Sequence, residues 1–461
     1  MMQKFLKVPH ALVIMFLIAV LVSIMSYFIP AGSFERVVSP INGRLIVVPG
    51  TFEFIKSSPI GFVDFITAFP RGFKAAAEII FVVISGGVMF GLMEKTNALE
   101  NGVGAFVRKL GMQRKNLIII SLTLVYGFLG VAVGYENNIA LVPIAAMVSL
   151  AIGGDLLLAA GISVGAMTVG FGLSPINPYT VGLGQKLAEI PLFSGSLLRT
   201  LLCAIALIVM CYYNLRYFKR LQQKGGPRDR SEDTEGLGLT RDLDSYALST
   251  QHWLIIITFF VGLSVAIYGI FKLNWFFLEL SGMFLLIGLT CGVIGRLNSD
   301  NISQAVLDGV KLTAGGAFMV GVAASIKVLL QDASLIDTLC FYSSNLLNGL
   351  PKTISVVLMM VTQSFTNFLI PSGSGQAMAT LPLMLPLGEL IGVNAQVTIL
   401  AFQIGDGLTN LINPTMGGLI AMLSLCRVSF DKWLKFIFPL AMILIAVAIV
   451  FLILSTMFNY S

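Results

Sequence analysis

Residues 170–178 read Gly-Phe-Gly-Leu-Ser-Pro-Ile-Asn-Pro, and residues 405–414 read Gly-Asp-Gly-Leu-Thr-Asn-Leu-Ile-Asn-Pro. They share Gly-x-Gly-Leu, then Ser or Thr, then Ile-Asn-Pro, with one residue inserted in the second. Each lies inside a long apolar run, 156–183 or 394–422. Pro175 and Pro178 cannot continue an α-helix, because a proline removes a donor and clashes with an earlier carbonyl. Thr409-Asn410-Leu411-Ile412-Asn413-Pro414 has the same effect in the second run. Both runs read as broken helices, and a break frees N–H and C=O groups at new helix ends. The N-terminal ends attract carboxylates, and the C-terminal carbonyls suit cations.

The likeness extends upstream. Gly72-Phe73-Lys74 aligns with Gly309-Val310-Lys311, and Pro143 with Pro382, at offsets that stay between 235 and 239. A constant offset points to duplication. The 461 residues are 56% hydrophobic and 11% charged, with a mean hydropathy of +0.90. A soluble domain carries about 25% charge, so a soluble enzyme, a disordered chain and a disulfide scaffold are excluded. The cysteines (Cys203, Cys211, Cys291, Cys340, Cys426) have no pairing spacing and read as structural thiols. With only His10 and His252, a His-rich metal centre is excluded. Net charge is +6, but no basic stripe with interleaved aromatics appears, so nucleic acid is not a partner. No GxxxxGK[ST], HExxH or GxSxG occurs, and Gly102-Val103-Gly104 lacks a strand–helix setting.

Apolar segments fall at 11–30, 75–95, 116–133, 138–153, 156–183, 194–214, 251–271, 274–295, 312–331, 353–370, 377–392, 394–422 and 433–457. Segments 116–133 and 138–153 are separated only by Gly134-Tyr135-Glu136-Asn137-Asn138. Segments 353–370 and 377–392 are separated only by Pro371-Ser372-Gly373-Ser374-Gly375-Gln376. The returning arms are short for a span of about 20 residues. Each pair reads as a re-entrant hairpin whose polar tip is buried in protein or lines a cavity. The fold expected is all-α and polytopic: two inverted repeats, about nine transmembrane helices, two re-entrant hairpins and two broken helices.

The organisation expected is a first span and extracytoplasmic loop (1–74) and repeat 1 (75–214, hairpin 116–153, broken helix 156–183). A cytoplasmic linker (215–250), two connecting spans (251–311) and repeat 2 (312–461, hairpin 353–392, broken helix 394–422) follow. The run after Lys4 and Lys7 reads as a retained span rather than a signal peptide. With the N-terminus inside, most Lys and Arg fall on the cytoplasmic face.

Candidate site residues come from the tips, the breaks and the buried charges. The first tip offers Glu136, Asn137 and Asn138; the second offers Gly373, Ser374 and Gln376 beside Ser372. The breaks offer Ser174, Pro175, Asn177, Thr409, Asn410 and Asn413. Asp406 lies four residues before Asn410. An ionisable group at membrane depth is a functional candidate by default. Glu136 can contact substrate, carry a proton or accept backbone N–H bonds. Neither tip nor break contains Arg or Lys, so the site favours a positive substrate group or a coupling cation. Glu78 and Lys327, in equivalent spans, read as a structural ion pair, with each other or with Lys74 or Lys311, the alternative being that they snorkel to the interface.

A polar hairpin tip, a proline in the returning arm and a Ser/Thr-x-Asn-Pro break, all occurring twice, resemble the ion transporter superfamily. Pro9-His10-Ala11, Ile29-Pro30-Ala31-Gly32, the Gly134–Asn138 tip and both Ile-Asn-Pro breaks resemble the YfcC branch of the anaerobic four-carbon-dicarboxylate carrier family, over essentially the whole chain. The resemblance implies a scaffold and a transport part per protomer, a homodimer, and alternating access by elevator-like movement. Members of the branch are described as basic amino-acid antiporters or as dicarboxylate carriers. Dicarboxylate members of the superfamily carry Ser-Asn-Thr at both tips, where this chain has Glu136-Asn137-Asn138 and Ser372-Gly373-Ser374.

The expectation is therefore a secondary transporter of the bacterial cytoplasmic (inner) membrane: a basic amino-acid antiporter for arginine- or ornithine-like substrates. The alternative within the class is an ion-coupled carrier of dicarboxylates or short-chain carboxylates. A channel and a membrane enzyme are the alternatives outside it. The expected partners are a small-molecule substrate, membrane lipid and a second copy of the chain. No cofactor is expected beyond a coupling ion, proton or sodium, and the metal identity stays open.

Overall fold

In hydrocarbon a backbone must satisfy its own N–H and C=O groups, so the apolar runs fold as helices. The computed structural model describes residues 11–38, 45–132, 134–227, 234, 237, 245–273, 275–347, 349–458 and 460. Helix α1 (Ala11–Met25) leads into a loop with four short strands, β1 (Gly32–Ser33), β2 (Arg36–Val38), β3 (Leu45–Val47) and β4 (Glu53–Phe54). β1 pairs antiparallel with β4, and β2 with β3. There follow α2 (Phe62–Ala75), α3 (Ala77–Lys95), α4 (Ala98–Leu110), α5 (Lys115–Ala132), a 3-10 turn (Glu136–Leu141) and α6 (Val142–Ala151). The first broken segment comprises α7 (Leu156–Ala160), a π turn (Gly161–Gly165), α8 (Ala166–Gly172), a second π turn (Pro178–Gly182) and α9 (Leu183–Leu187). Next come α10 (Ser196–Gln223), α11 (Thr250–Lys272), α12 (Phe277–Ile294), α13 (Ser299–Asp332), α14 (Leu335–Asn345), α15 (Lys352–Leu369) and α16 (Gly373–Leu390). The second broken segment is α17 (Ala395–Thr409) and α18 (Gly417–Leu425), and α19 (Phe430–Met457) ends the chain.

Among the described residues, seven helices are long and apolar enough to cross a membrane: α3, α5, α10, α11, α12, α13 and α19. The expected nine-plus-two arrangement is not what length and hydropathy return. The described part of α1 has 15 residues and is not among the seven. The expected hairpin arm α5 is one of the seven. Two stretches that carried no structural expectation fold as the short helices α4 and α14.

Several backbone corners recur between the two halves. Positive-φ residues recur at the spacing read from the motifs: Asn97 (57°) with Ser334 (51°), and Gly111 (81°) with Gly349 (79°). Gly153 (83°) with Gly392 (75°), and Glu189 (53°) with Arg427 (53°), follow the same rule. Such φ values are uncommon outside glycine, so the two non-glycine pairs are not local accidents. Helices α5 and α15 have 18 residues each, and α10 and α19 have 28 each. Where the first half has α2 and α3 joined at Ala76, the second has the continuous 34-residue α13.

Helices α3 and α13 run antiparallel at backbone contact. A Cβ on Gly87 would sit 2.6 Å from the Gly309 carbonyl oxygen, and one on Gly309 2.5 Å from that of Gly87. The same interface brings Gly72, at the end of α2, against the Ser325 backbone. Outside the bundle, the loop strands are tied to α14. Asp337 accepts from the Phe34 N–H at 3.0 Å and from Arg36 at 2.6 Å. Arg71 and Asp332 form a two-pronged pair at 2.5 and 2.8 Å, which raises the Arg71 guanidinium above its ordinary pKa. All five cysteines are buried and free. Burial, with Asp337 adding, pushes the Cys340 thiol up to about 12.

Candidate substrate and ion site

The first break is held by its own polar side chains. Ser174 Oγ donates to the Val131 carbonyl at the end of α5 (3.1 Å) and accepts the Ile176 N–H. Asn177 caps the outgoing half: its Oδ1 accepts the N–H groups of Tyr179 and Thr180, while its Nδ2 donates to the Phe171 carbonyl. Pro175 is half-buried between them. At the first tip, Asn138 Nδ2 donates to the carbonyls of Gly134 (2.6 Å) and Leu129 (3.2 Å), closing the turn on α5. The side chains of Glu136 and Asn137 lie outside the described residues.

The second break is built round Asn367, a residue the motif reading passed over. Its Nδ2 donates to the Asp406 carbonyl and to Asn410 Oδ1, both at 2.7 Å. Its own carbonyl accepts from Asn413 Nδ2 at 2.9 Å. Asn413 Oδ1 accepts from the N–H and the hydroxyl of Thr415. Thr409 is buried beside them. Gln376, in the first turn of α16, donates to the carbonyl and side chain of Gln363 on α15, locking the two arms of the hairpin together. Gly373 and Ser374 are half-buried at the tip.

Asp406 is 1% exposed, and neither of its carboxylate oxygens has a hydrogen-bond partner among the described residues. A Cβ on Gly373 would lie 3.3 Å from Asp406 Oδ2 and 2.8 Å from Thr180 Cγ2. The second tip therefore meets the first break's outgoing half at this carboxylate. The two breaks also touch directly: Gly172 and Gly407 approach so closely that a Cβ on Gly172 would stand 2.7 Å from the Gly407 backbone. Thr180 Oγ1, Asn367 Oδ1 and Gln376 Oε1 are further buried oxygens without partners among the described residues. Oxygens of this kind suit a proton or a hard monovalent cation.

A cavity of about 230 Å³ opens beside the second tip. Pro371 and Ser372 form one wall, Thr415 and Gly417 another, and Val320, Ala323, Ala324 and Lys327 of α13 a third. Ala75, Ala76, Ile79, Val328 and Gln331 complete it. The expected site residues stand one position away from this lining rather than on it. Helix α16 starts at the cavity, with Ser372 as N-cap, and so does α18, whose N-terminus has no side-chain cap. Lys327 is the only charged residue in the lining. The ion pair expected for Lys327 does not form: it makes no ion pair or hydrogen bond among the described residues. Lys327 lines the cavity, and Glu78 does not.

Behind the breaks lies a buried guanidinium that also carried no expectation. Arg199, 1% exposed, donates to Gln403 Oε1 (3.1 Å), Gln396 Oε1 (2.9 Å) and the Tyr460 hydroxyl (2.9 Å). Gln403 in turn donates to the Ser174 carbonyl at 2.7 Å. A charge inside the 194–214 apolar run was the signal available for it.

Among known proteins, the chain is 30% identical over 468 residues to the "Putative basic amino acid antiporter YfcC" of Escherichia coli K12, covering 93% of this chain and 92% of the relative. It is 26% identical to an uncharacterized protein of Haemophilus influenzae, covering 88% and 81%. Of solved structures, the Alcanivorax borkumensis YdaH transporter matches with a TM-score of 0.45 and 16% identity, over 98% of this chain and 99% of that one. Neisseria gonorrhoeae MtrF, described as one of a class of antimetabolite efflux pumps, matches with a TM-score of 0.46 and 18% identity, over 98% and 96%. The sequence pattern of one family spans residues 8–457: the chain belongs to the DcuC family, the C4-dicarboxylate anaerobic carriers, and is a multi-pass bacterial membrane transport protein rather than an enzyme.

Proposed function

We propose that the protein is a secondary carrier of small carboxylates, of the dicarboxylate or short-chain class, coupled to a cation held at Asp406. The observation that carries this reading is the charge of the cavity at the second tip. Two helix N-termini and Lys327 face it, and no acidic residue lines it. Each of these features favours an anion. The volume of about 230 Å³ is below the roughly 300–1,000 Å³ of pockets for drug-sized ligands, which suits a solute of few carbons. Asp406 lies behind the tip, separated from the cavity lining, where a coupling ion and a substrate can be held side by side.

The antiparallel packing of α3 on α13 and the matched corners support two inverted repeats, with the two hairpins re-entrant. Access would then alternate by movement of hairpins and breaks against the α3–α13 pair, in a homodimer with the N-terminus in the cytoplasm. Asn138, Ser174, Asn177, Asn410 and Asn413 shape the breaks; Gly373, Ser374 and Gln376 shape the moving tip. Glu136 and Asn137 belong to the same proposal at the first tip.

A second reading, exchange of basic amino acids, is favoured by one observation: the unpartnered buried carboxylate of Asp406. The printed name of the Escherichia coli relative points the same way. Counterflow separates the two. Proteoliposomes holding the purified protein are preloaded with succinate or with arginine, and labelled substrate is added outside without an ion gradient. We expect uptake with succinate. Uptake with arginine alone would replace the carboxylate reading by the antiporter one. Saturable counterflow of either kind also separates a carrier from a channel.

A further inference from the structure

We propose that Lys327 reads the substrate's carboxylate, and that it does so only while the second tip stands against α13. This rests on the carboxylate reading above and adds a sidedness to it. Lys327 is five residues from the end of α13, where Asp332 is clamped by Arg71. Its helix neighbours Ile326, Val328, Leu329 and Leu330 are buried, while Lys327 itself is exposed to the cavity. A cation within a membrane-spanning helix is costly unless something answers its charge. Among the described residues nothing does. The walls around its stem are Val320, Ala323 and Ala324, small enough to leave the ammonium room to reach a ligand against Ser372.

The framework makes this contact conditional. Helix α13 interlocks with the α3 backbone at Gly87 and Gly309 and with Gly72 at Ser325, more closely than with α18, where a Cβ on Gly316 would stand 2.8 Å from the Ser424 side chain and 3.2 Å from the Ala421 backbone. Interfaces with no room for a Cβ are discrete, not sliding. The hairpin α15–α16 meets α13 across the cavity instead. When the tip leaves, the substrate keeps the α16 N-terminus and the break but loses Lys327. The carrier therefore binds its carboxylate substrate more tightly on the face where tip and α13 stand together.

The test uses the full chain in oriented proteoliposomes, with succinate as probe and its KM measured from each face. In Lys327→Gln we expect KM to rise about tenfold or more on one face, the loss typical of one charge-assisted hydrogen bond. The other face should be unchanged, and Lys327→Arg should restore most of the loss. A succinate-induced rise in melting temperature in detergent should be present in the parent and smaller in Lys327→Gln, at an equal ligand-free melting point. That comparison separates a lost contact from a misfolded protein. If the parent exchanges succinate and Lys327→Gln matches it on both faces, the role of Lys327 is refuted while the carboxylate reading stands. If the parent exchanges only arginine, both fall.

Discussion

Asp406 and Asn367 occupy one corner of the second break and have opposite states. Asn367 spends both its donors and its carbonyl on the break. Asp406 spends only its backbone carbonyl and leaves its charge without a partner among the described residues. A buried carboxylate without donors costs free energy, so a structural purpose does not explain it. Asp406→Asn keeps the shape and removes the charge. Its melting temperature should equal or exceed the parent's. Substrate exchange should persist, but a proton or sodium gradient should no longer drive accumulation. Gradient-driven uptake at the parent level in this variant would remove Asp406 from the coupling step. Asp406 was visible in the sequence because an acid in an apolar run stands out. Asn367 was not, since one more amide near a hairpin end has no pattern to mark it.

At the scale of elements, each broken helix depends on an asparagine that ties its turn and on a neighbour that comes unusually close. Asn177 caps the first outgoing half, and Asn413 holds the turn ahead of α18 through Thr415. Gly172 and Gly407 supply the approach, with each backbone inside the space that a Cβ of the other would need. Gly172→Val pushes two broken helices apart, and overpacking of this kind costs about 1–3 kcal/mol or more. A lowered melting temperature with near-complete loss of counterflow is expected. Parent-like activity would mean the breaks move independently and need no contact. The breaks themselves were legible because proline chemistry is local. Their contact was not, because it joins residues 235 apart on a pseudo-symmetric arrangement that no local pattern encodes.

At the scale of the whole molecule, Arg199 joins three distant parts of the chain. It reaches from α10 to Gln396 and Gln403 of α17 and to Tyr460 beyond α19, and Gln403 passes the connection to the first break. Removing it strands neutral acceptors, at a cost of about 1–3 kcal/mol for each buried group left unsatisfied. Arg199→Met should melt well below the parent. A melting curve unchanged in that variant would show the network to be idle. The two repeats are thus linked through neutral amides rather than through an ion pair, which keeps the linkage independent of the charge at Asp406.

The sequence by itself determined that this chain is a polytopic helical carrier with a duplicated plan. Proline, glycine and hydropathy act locally, and their spacing survives in the primary structure. It also located both breaks and both tips. Only the tertiary structure decided which charge faces the cavity at the second tip. From the sequence, tips and breaks offered acids and no bases, which argued for a cationic substrate. Folding places Lys327 of α13 opposite the second tip and withdraws Asp406 behind it, so the open cavity is basic and the acid is enclosed. Electrostatics depends on distance and burial, and neither follows from position along the chain when the deciding charge stands 45 residues from the tip it faces.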